Sequence, residues 1–280
     1  MKNAVVITNI FNPHAVKEAC KVKDFLRKND FEVCTCNFDG KNDEEFTGYD
    51  LAVSLGGDGT VLFAARACLN AEIQIFPINF GTFGFLAGVD RQNWAVKLSA
   101  HLSGKSIGKL NRSMLEIQVI RNGIPIYDRF ALNDIVLAGN VPAKTIYVNI
   151  ICNEINIGDF AGDGIILSSA TGSTAYSLSA GGPILDPTVD GMILSMMNPI
   201  TISDRPLILS GSSHINMGLS SPRNDSASII IDGQIRFNFL AGDILSLKRA
   251  DKQITLLGCS QTGFYSALRS KLHWQGGNRA

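Results

Sequence analysis

Leu51-Ala52-Val53-Ser54-Leu55-Gly56-Gly57-Asp58-Gly59-Thr60 is the stretch on which the fold of the first half turns. The continuous apolar run Leu51–Leu55 is the pattern of a short strand buried on both faces, and a glycine turn follows it at once. Val61–Leu69 then reads as a helix. Upstream, Ala4–Ile10 is apolar and β-branched, and Asn12-Pro13 marks a helix start with Ala15, Val16, Ala19, Val22, Phe25 and Leu26 on one stripe. Phe31–Cys36 and Ile73–Asn79 return as strands, and Trp94, Val96, Leu98 and Leu102 suggest a closing helix. Strands fed by helices imply a parallel sheet covered on both faces.

In such sheets ligands bind at the carboxyl ends of the strands, where this turn falls. Glycines there let backbone N–H groups approach a phosphate, and the following helix adds its positive end. Asp58 needs a separate explanation, because a carboxylate repels phosphate unless it binds a metal ion or takes a proton from an attacking hydroxyl. The plainer alternative is a strand–helix turn with Asp58 capping the helix. Two other phosphate patterns fail. Gly104-Lys105-Ser106 resembles the end of a Walker loop, but Ser99 stands where the first glycine is required, and no Gly-x-Gly-x-x-Gly follows the first strand.

The pattern changes near Lys109. Leu115, Ile117 and Val119 alternate with Glu116, Gln118 and Ile120, and Asn122-Gly123 supplies a hairpin turn. Leu132–Ala138, Ile146–Cys152, Ile155–Phe160, Leu207–Leu209, Ser228–Asp232, Ile235–Leu240 and Ile244–Lys248 are further strands, with Asn153-Glu154 and Asp232-Gly233 at turns. Phe264–Leu272 has helical spacing. The expected architecture is a Rossmann-like α/β domain over residues 1–110, then a β-rich, sandwich-like domain over 111–258. The closing helix, within 259–280, is expected to rejoin the first domain.

Composition narrows the function classes. Hydrophobic residues make up 45% and charged residues 18%, enough apolar material for a sizeable core. Lys+Arg and Asp+Glu both number 25, which argues against duplex nucleic acid or an anionic membrane as the main partner. No apolar run approaches the roughly 20 residues of a membrane span, and Met1–Ile10 reads as a strand rather than a signal peptide. The six cysteines have no metal-ligand spacing and read as buried free thiols of a reducing cytoplasm. His14, His101, His214 and His273 are scattered and read as surface or cap residues. Lys105, Lys109 and Arg112 read as solvated surface, and Trp94 and Trp274 as packing residues.

The most distinctive stretch runs from Gly162-Asp163-Gly164 through Ile165–Leu167 and the hydroxyl-rich Ser168-Ser169-Ala170-Thr171-Gly172-Ser173-Thr174-Ala175-Tyr176-Ser177-Leu178-Ser179 to Gly181-Gly182-Pro183. Small residues allow close approach to a flat ligand, while Thr171, Ser173, Thr174 and Ser179 offer donors and acceptors. A flexible linker would carry neither the apolar strand in front nor Tyr176-Ser177-Leu178 inside.

Together with the glycine turn, Gly81-Thr82-Phe83-Gly84-Phe85, Leu132-Asn133-Asp134, Asp232-Gly233-Gln234 and Leu268-Arg269-Ser270-Lys271-Leu272, this stretch resembles the NAD kinase family across nearly the whole chain. The resemblance implies phosphoryl transfer from Mg²⁺-bound ATP, or polyphosphate, to the 2′-hydroxyl of the adenosine ribose of NAD. Asp58 matches the proposed proton acceptor, and Gly56, Gly57, Gly59 and Thr60 match the phosphate-side turn. Asn133 matches the adenine-recognising asparagine. Asp134 stands where a glutamate is usual, with the carboxylate kept and its reach shortened. Asp163 matches the residue that holds the nicotinamide end. Thr171, Thr174, Ala175, Tyr176 and Ser179 match the adenosine pocket, Phe85 a wall of the site, and Gln234 a further nucleotide contact. Asn198 and Ile200 fall where a neighbouring subunit reaches in, which implies a homo-oligomer. No side chain is expected to bind the metal directly. Ala161 replaces a common arginine, and Ser169-Ala170 replaces a usual Thr-Pro. Two competing readings are a lipid kinase, which shares the glycine turn and a β-rich second domain, and a catalytically silent nucleotide sensor.

Overall fold

The computed structural model describes residues 2–41, 43–81, 84–141, 144–201 and 204–272. Thr82 and Phe83 of the Gly81–Phe85 motif, and His273 and Trp274, lie outside them. The chain forms two compact units, Met1–Asn111 with Ile254–Ala280, and Arg112–Gln253.

The first unit begins β1 (Lys2–Asn9), α1 (Pro13–Arg27), β2 (Phe31–Phe38), β3 (Leu51–Gly56), α2 (Asp58–Cys68), β4 (Gln74–Asn79), β5 (Val89–Asp90) and α3 (Trp94–Leu102). Helix α1 starts where Asn12-Pro13 dictates. The Asn12 side chain accepts from the N–H groups of His14 and Ala15, both at 3.1 Å. The helix buries Ala15, Ala19, Val22 and Leu26, while Val16 of the expected stripe is exposed. The sheet runs β2-β1-β3-β4 in parallel, so its order reverses at β1, and the glycine turn leaves β3 beside that point. Trp94 packs edge-on against Phe25, and its indole N–H donates to Glu18 Oε1 at 3.0 Å.

The chain enters the second unit inside β6 (Lys109–Arg121). It continues as β7 (Ile124–Ala131), β8 (Asp134–Gly139), β9 (Ile146–Cys152), β10 (Ile155–Gly162), β11 (Gly164–Ser169), a 3₁₀ turn (Thr171–Thr174) and α4 (Tyr176–Ser179). Next come β12 (Gly191–Met197), β13 (Leu207–Ser210), β14 (Ile215–Leu219), β15 (Ser226–Ile231), β16 (Ile235–Leu240) and β17 (Ile244–Leu257). The last carries the chain back to the first unit and α5 (Gln261–Lys271). The β6–β7 hairpin closes through Asn122 (φ 52°) and Gly123 (φ 77°), the doubly left-handed turn that Asn-Gly favours. One antiparallel sheet runs β13-β12-β11-β8-β15-β16. Its inward residues, among them Ile135, Leu137, Ile165, Leu167 and Ile229, share a core with Ile117, Val148, Ile150, Ile215 and Leu245 of the opposing sheet. Alternation over two facing sheets makes this unit a β-sandwich.

Several expectations need correction. Helix α2 begins at Asp58, three residues before Val61, so Asp58, Gly59 and Thr60 of the glycine motif lie in its first turn. Strands β12 and β14 were not expected, and β17 runs to Leu257, well past Lys248. Arg112 is not solvated surface: only 2% of it is exposed, because β6 alternation turns it inward while Lys109 faces out. All six cysteines are free, but Cys20 and Cys34 are exposed.

Candidate nucleotide site

Asp58 occupies the first position of α2, where the preceding Gly57 offers no side-chain cap. Its carboxylate turns away from its own helix and binds a second backbone segment. Oδ2 accepts from the Phe85 N–H at 2.9 Å, and Oδ1 accepts from Leu86 and Ala87, both at 3.1 Å. Capping of α2 by this side chain is therefore excluded. Gly84 lets the segment pass so close, since any side-chain carbon there would overlap the Asp58 carboxylate. Phe85 lies 6.0 Å from the Phe264 ring of α5, with the Lys271 ammonium 5.0 Å over its face. The glycines of the turn differ in their reasons. A side-chain carbon on Gly56 would overlap Thr60, whereas one on Gly57 (φ −101°) would meet nothing within 4 Å. The fold thus requires a glycine at 56 and has no use for one at 57. Gly59 is exposed beside it.

In the second unit a cavity of about 280 Å³ is lined by Asn133, Asp134, Val136, Ala175, Tyr176, Ile230, Asp232 and Gly233. It sits near the lower bound of roughly 300 Å³ for ligand pockets, the scale of a nucleoside rather than a dinucleotide. Four of the residues picked out in the sequence, Asn133, Asp134, Ala175 and Tyr176, meet here. The hydroxyl-rich stretch is built around Asn133. The Ser169 hydroxyl donates to Leu132 O at 2.6 Å, Ser169 N–H donates to Asn133 O at 2.9 Å, and Gly172 N–H donates to Ser169 Oγ at 3.1 Å. Gly172 presses on the Asn133 peptide so tightly that an added carbon would lie 2.7 Å from Asn133 Cα. Thr171 is buried, and its carbonyl receives the Thr174 hydroxyl at 3.4 Å. Ser179 is exposed on α4.

Asp232 belongs to this cavity, although its sequence reads as a turn residue. Its carboxylate accepts the N–H groups of Leu132 (3.1 Å), Asn133 (2.7 Å) and Asp134 (3.3 Å). The local signal was an acid after the apolar run Ile229–Ile231, but its partners lie 98 to 100 residues upstream. Val136, Ile230 and Gly233 were likewise not singled out for the pocket. Asp134 is 4% exposed, and burial, with the Asp232 charge second, pushes its carboxyl up to about 7 against the opposing Tyr176 N–H. Gln234 does not line the cavity; its N–H bonds to Ile231 O at 2.9 Å.

Asp163 and Asn198 form a separate group. Asn198 Nδ2 donates to Asp163 Oδ2 at 2.7 Å, and Ile200 N–H donates to Ala161 O at 3.0 Å. Asp163 precedes β11 and the hydroxyl-rich stretch follows it, so the strand's rise sets the two ends about 17 Å apart. Asp163, Ala161 and Asn198 are not among the cavity-lining residues. Ile200 is 60% exposed.

Residues 9–106 match the ATP-NAD kinase N-terminal domain, and residues 132–258 match the ATP-NAD kinase C-terminal domain. The NAD kinase of Treponema denticola is 38% identical over 278 residues, covering 99% of this chain and 98% of its own. That of Treponema pallidum (strain Nichols) is 36% identical over 274 residues, covering 97% and 90%. An Archaeoglobus fulgidus NAD kinase solved in complex with ATP aligns with a TM-score of 0.77 at 25% identity, covering 99% of this chain and all of its own. Yeast NADH kinase complexed with NADH aligns with a TM-score of 0.87, covering 100% of this chain and 89% of its own; at 21% identity this is a likeness of fold. Two domain models in tandem, with relatives above 30% identity over at least 90% of their length, show that the chain belongs to the NAD kinase family.

Proposed function

We propose that this chain is an NAD kinase, transferring the terminal phosphoryl group of ATP to the 2′-hydroxyl of the adenosine ribose of NAD to give NADP. Family membership supports the reaction class. The observation that carries the reading is the nucleoside-sized cavity, where Asn133, Asp134, Ala175 and Tyr176 converge. In this reading Asn133 recognises the adenine and Asp134 the ribose, with Thr171, Thr174 and Ser179 around them. Gln234 adds a nucleotide contact, and Phe85 a wall. The Gly56–Thr60 turn faces the donor phosphates, and Gly57, a glycine the fold does not need, leaves room for them.

Asp58 orients and deprotonates the 2′-hydroxyl. A carboxylate has about four lone-pair sites, and three backbone donors leave one for the hydroxyl. Those donors hold the side chain still, so that positioning lowers the barrier together with charge neutralisation. Among the described residues no three His, Cys, Asp or Glu side chains gather into a metal cage. In this reading a Mg²⁺ would arrive with the triphosphate, held by the phosphates rather than by a side chain. When bound, Mg²⁺ would supply neutralisation of the phosphate charge.

In this reading Asp163, some 17 Å along β11 from the cavity end, holds the nicotinamide end of NAD, while Asn198 and Ile200 reach toward a neighbouring copy. The active form is then a homo-oligomer, and exposed Ile200 suits such an interface. A cytoplasmic location goes with this reading, supported by six free thiols. No helix among the described residues is long and apolar enough to cross a membrane. The test is incubation of the purified protein with NAD, Mg²⁺ and either ATP or polyphosphate, with diacylglycerol as a competing acceptor. NADP should form. Phosphatidate without NADP, or NAD binding without turnover, would overturn the assignment.

A further inference from the structure

We propose that the returning C-terminal segment positions Asp58 for turnover, with Phe264 and Cys259 as positioning residues that hold the backbone donors of its carboxylate. The proposal rests on the reading of Asp58 as the base. The carboxylate stands on the first residue of α2, and its three donors are fixed only as well as the segment that carries them. Residues 84–88 lie in neither helix nor strand. Glycines stand at both ends of the segment, and each permits a close approach to a different neighbour. An added carbon on Gly84 would overlap the Asp58 carboxylate, whereas one on Gly88 would lie 2.8 Å from Cys259 Sγ.

The sheet brings Cys259 to this place. The end of β17 sets Leu256 beside Ile75, parallel to β4, and β4 runs parallel to β3. The chain therefore leaves the sheet at the same carboxyl end that carries the glycine turn. Gly258 (φ 70°) follows, its N–H donating to Gly108 O at 2.8 Å. The Cys259 S–H then donates to Leu86 O at 3.5 Å, so Leu86 gives its N–H to Asp58 and receives a bond from Cys259 at its carbonyl. The Ser260 hydroxyl caps α5 by accepting from the Gly263 N–H at 3.1 Å, which sets the start of the helix. Just beyond that cap Phe264, 5% exposed, meets the Phe85 ring at 6.0 Å, and Ala267 and Leu268 are buried after it. Phe85 supplies the shortest of the three bonds to Asp58. Residues 85 and 86 are thus held both by Asp58 and by the chain that returns from Ile254 onward. Loss of the second hold lets the donors shift, and a displacement of about 1 Å near reacting atoms can cost about 10²-fold in rate.

Steady-state NADP formation by the full-length protein tests this, at a temperature where every variant is folded. Phe264→Ala should lower kcat by about 10–100-fold, while the KM values for NAD and ATP stay within about twofold. Phe264→Leu, which refills most of the space, should recover most of the rate. In the Asp58→Asn background Phe264→Ala should cost no further rate, because the residue acts through Asp58; a loss of packing alone would lower the rate in both backgrounds. Hydrogen exchange at the amides of residues 85–87 should quicken in Phe264→Ala. If Phe264→Ala does not fold, Cys259→Ala takes its place, with the same split between kcat and KM and no further loss beside Asp58→Asn. A rate that falls as far in the Asp58→Asn background as in the wild type, a change confined to KM, or unaltered exchange at 85–87 overturns the positioning role and leaves the base reading standing. Full turnover by Asp58→Asn itself removes the base reading, and the positioning role with it.

Discussion

Asp58→Asn separates the anchoring of the 85–87 backbone by this side chain from its proposed role as base. The amide oxygen can still accept from Leu86 and Ala87, but the amide nitrogen then faces the Phe85 N–H, donor against donor. A hydrogen bond to a charged group contributes about 1.5–3 kcal/mol, and a neutral one about half that. One lost bond and two weakened ones, discounted because the group is partly exposed, give a loss of roughly 2–3 kcal/mol. For a unit of this size that corresponds to about 4–12 °C in its unfolding midpoint. Removal of the proposed base should lower turnover by about 10²–10⁴, far more than a folded fraction well below the transition could account for. Thermal unfolding by circular dichroism and NADP formation at a temperature where both proteins are folded measure the two effects separately. An unchanged midpoint would refute the anchoring argument, and retained turnover would remove Asp58 from the chemistry.

Gly57→Ala should leave the midpoint unchanged, since the added methyl meets open space, while raising the KM for ATP; a normal KM would mean that the turn does not approach the donor. Gly172→Ala should cost about 1–3 kcal/mol, because the added carbon drives the Asn133 peptide out of place, and should weaken NAD binding in titration calorimetry in parallel. Stability should carry an Asp134 signature in urea unfolding. The folded carboxyl is raised from 3.8 to about 7, so the folded state holds the proton more tightly, and stability should decline as pH rises from about 4 to 7 and level off above. Asp134→Asn should flatten that decline. Alkylation of the native protein at neutral pH should modify Cys20 and Cys34 first, because Cys36 and Cys68 are buried thiols pushed up to about 12; mass spectrometry reads the order.

Local chemistry in the sequence determined most elements and the kind of fold. Leu51–Leu55 could only be a buried strand before a glycine turn, Asn12-Pro13 a helix start, and Asn122-Gly123 a hairpin. Each of these is decided within a few residues by periodicity, capping or permitted φ. The same local signals failed at β12, whose apolar run has no clear period, and at β14, where Gly218 interrupts the alternation. Arg112 was misread because composition near a boundary says nothing of which way a strand residue turns. The candidate site residues were legible as types at positions, but their surroundings were not. Asp58 takes its donors from 27 to 29 residues away, and Asp232 takes its own from about 100 residues away. A carboxylate's partners and protonation depend on which distant backbone groups folding brings within 3 Å of it, and only the tertiary structure decides that.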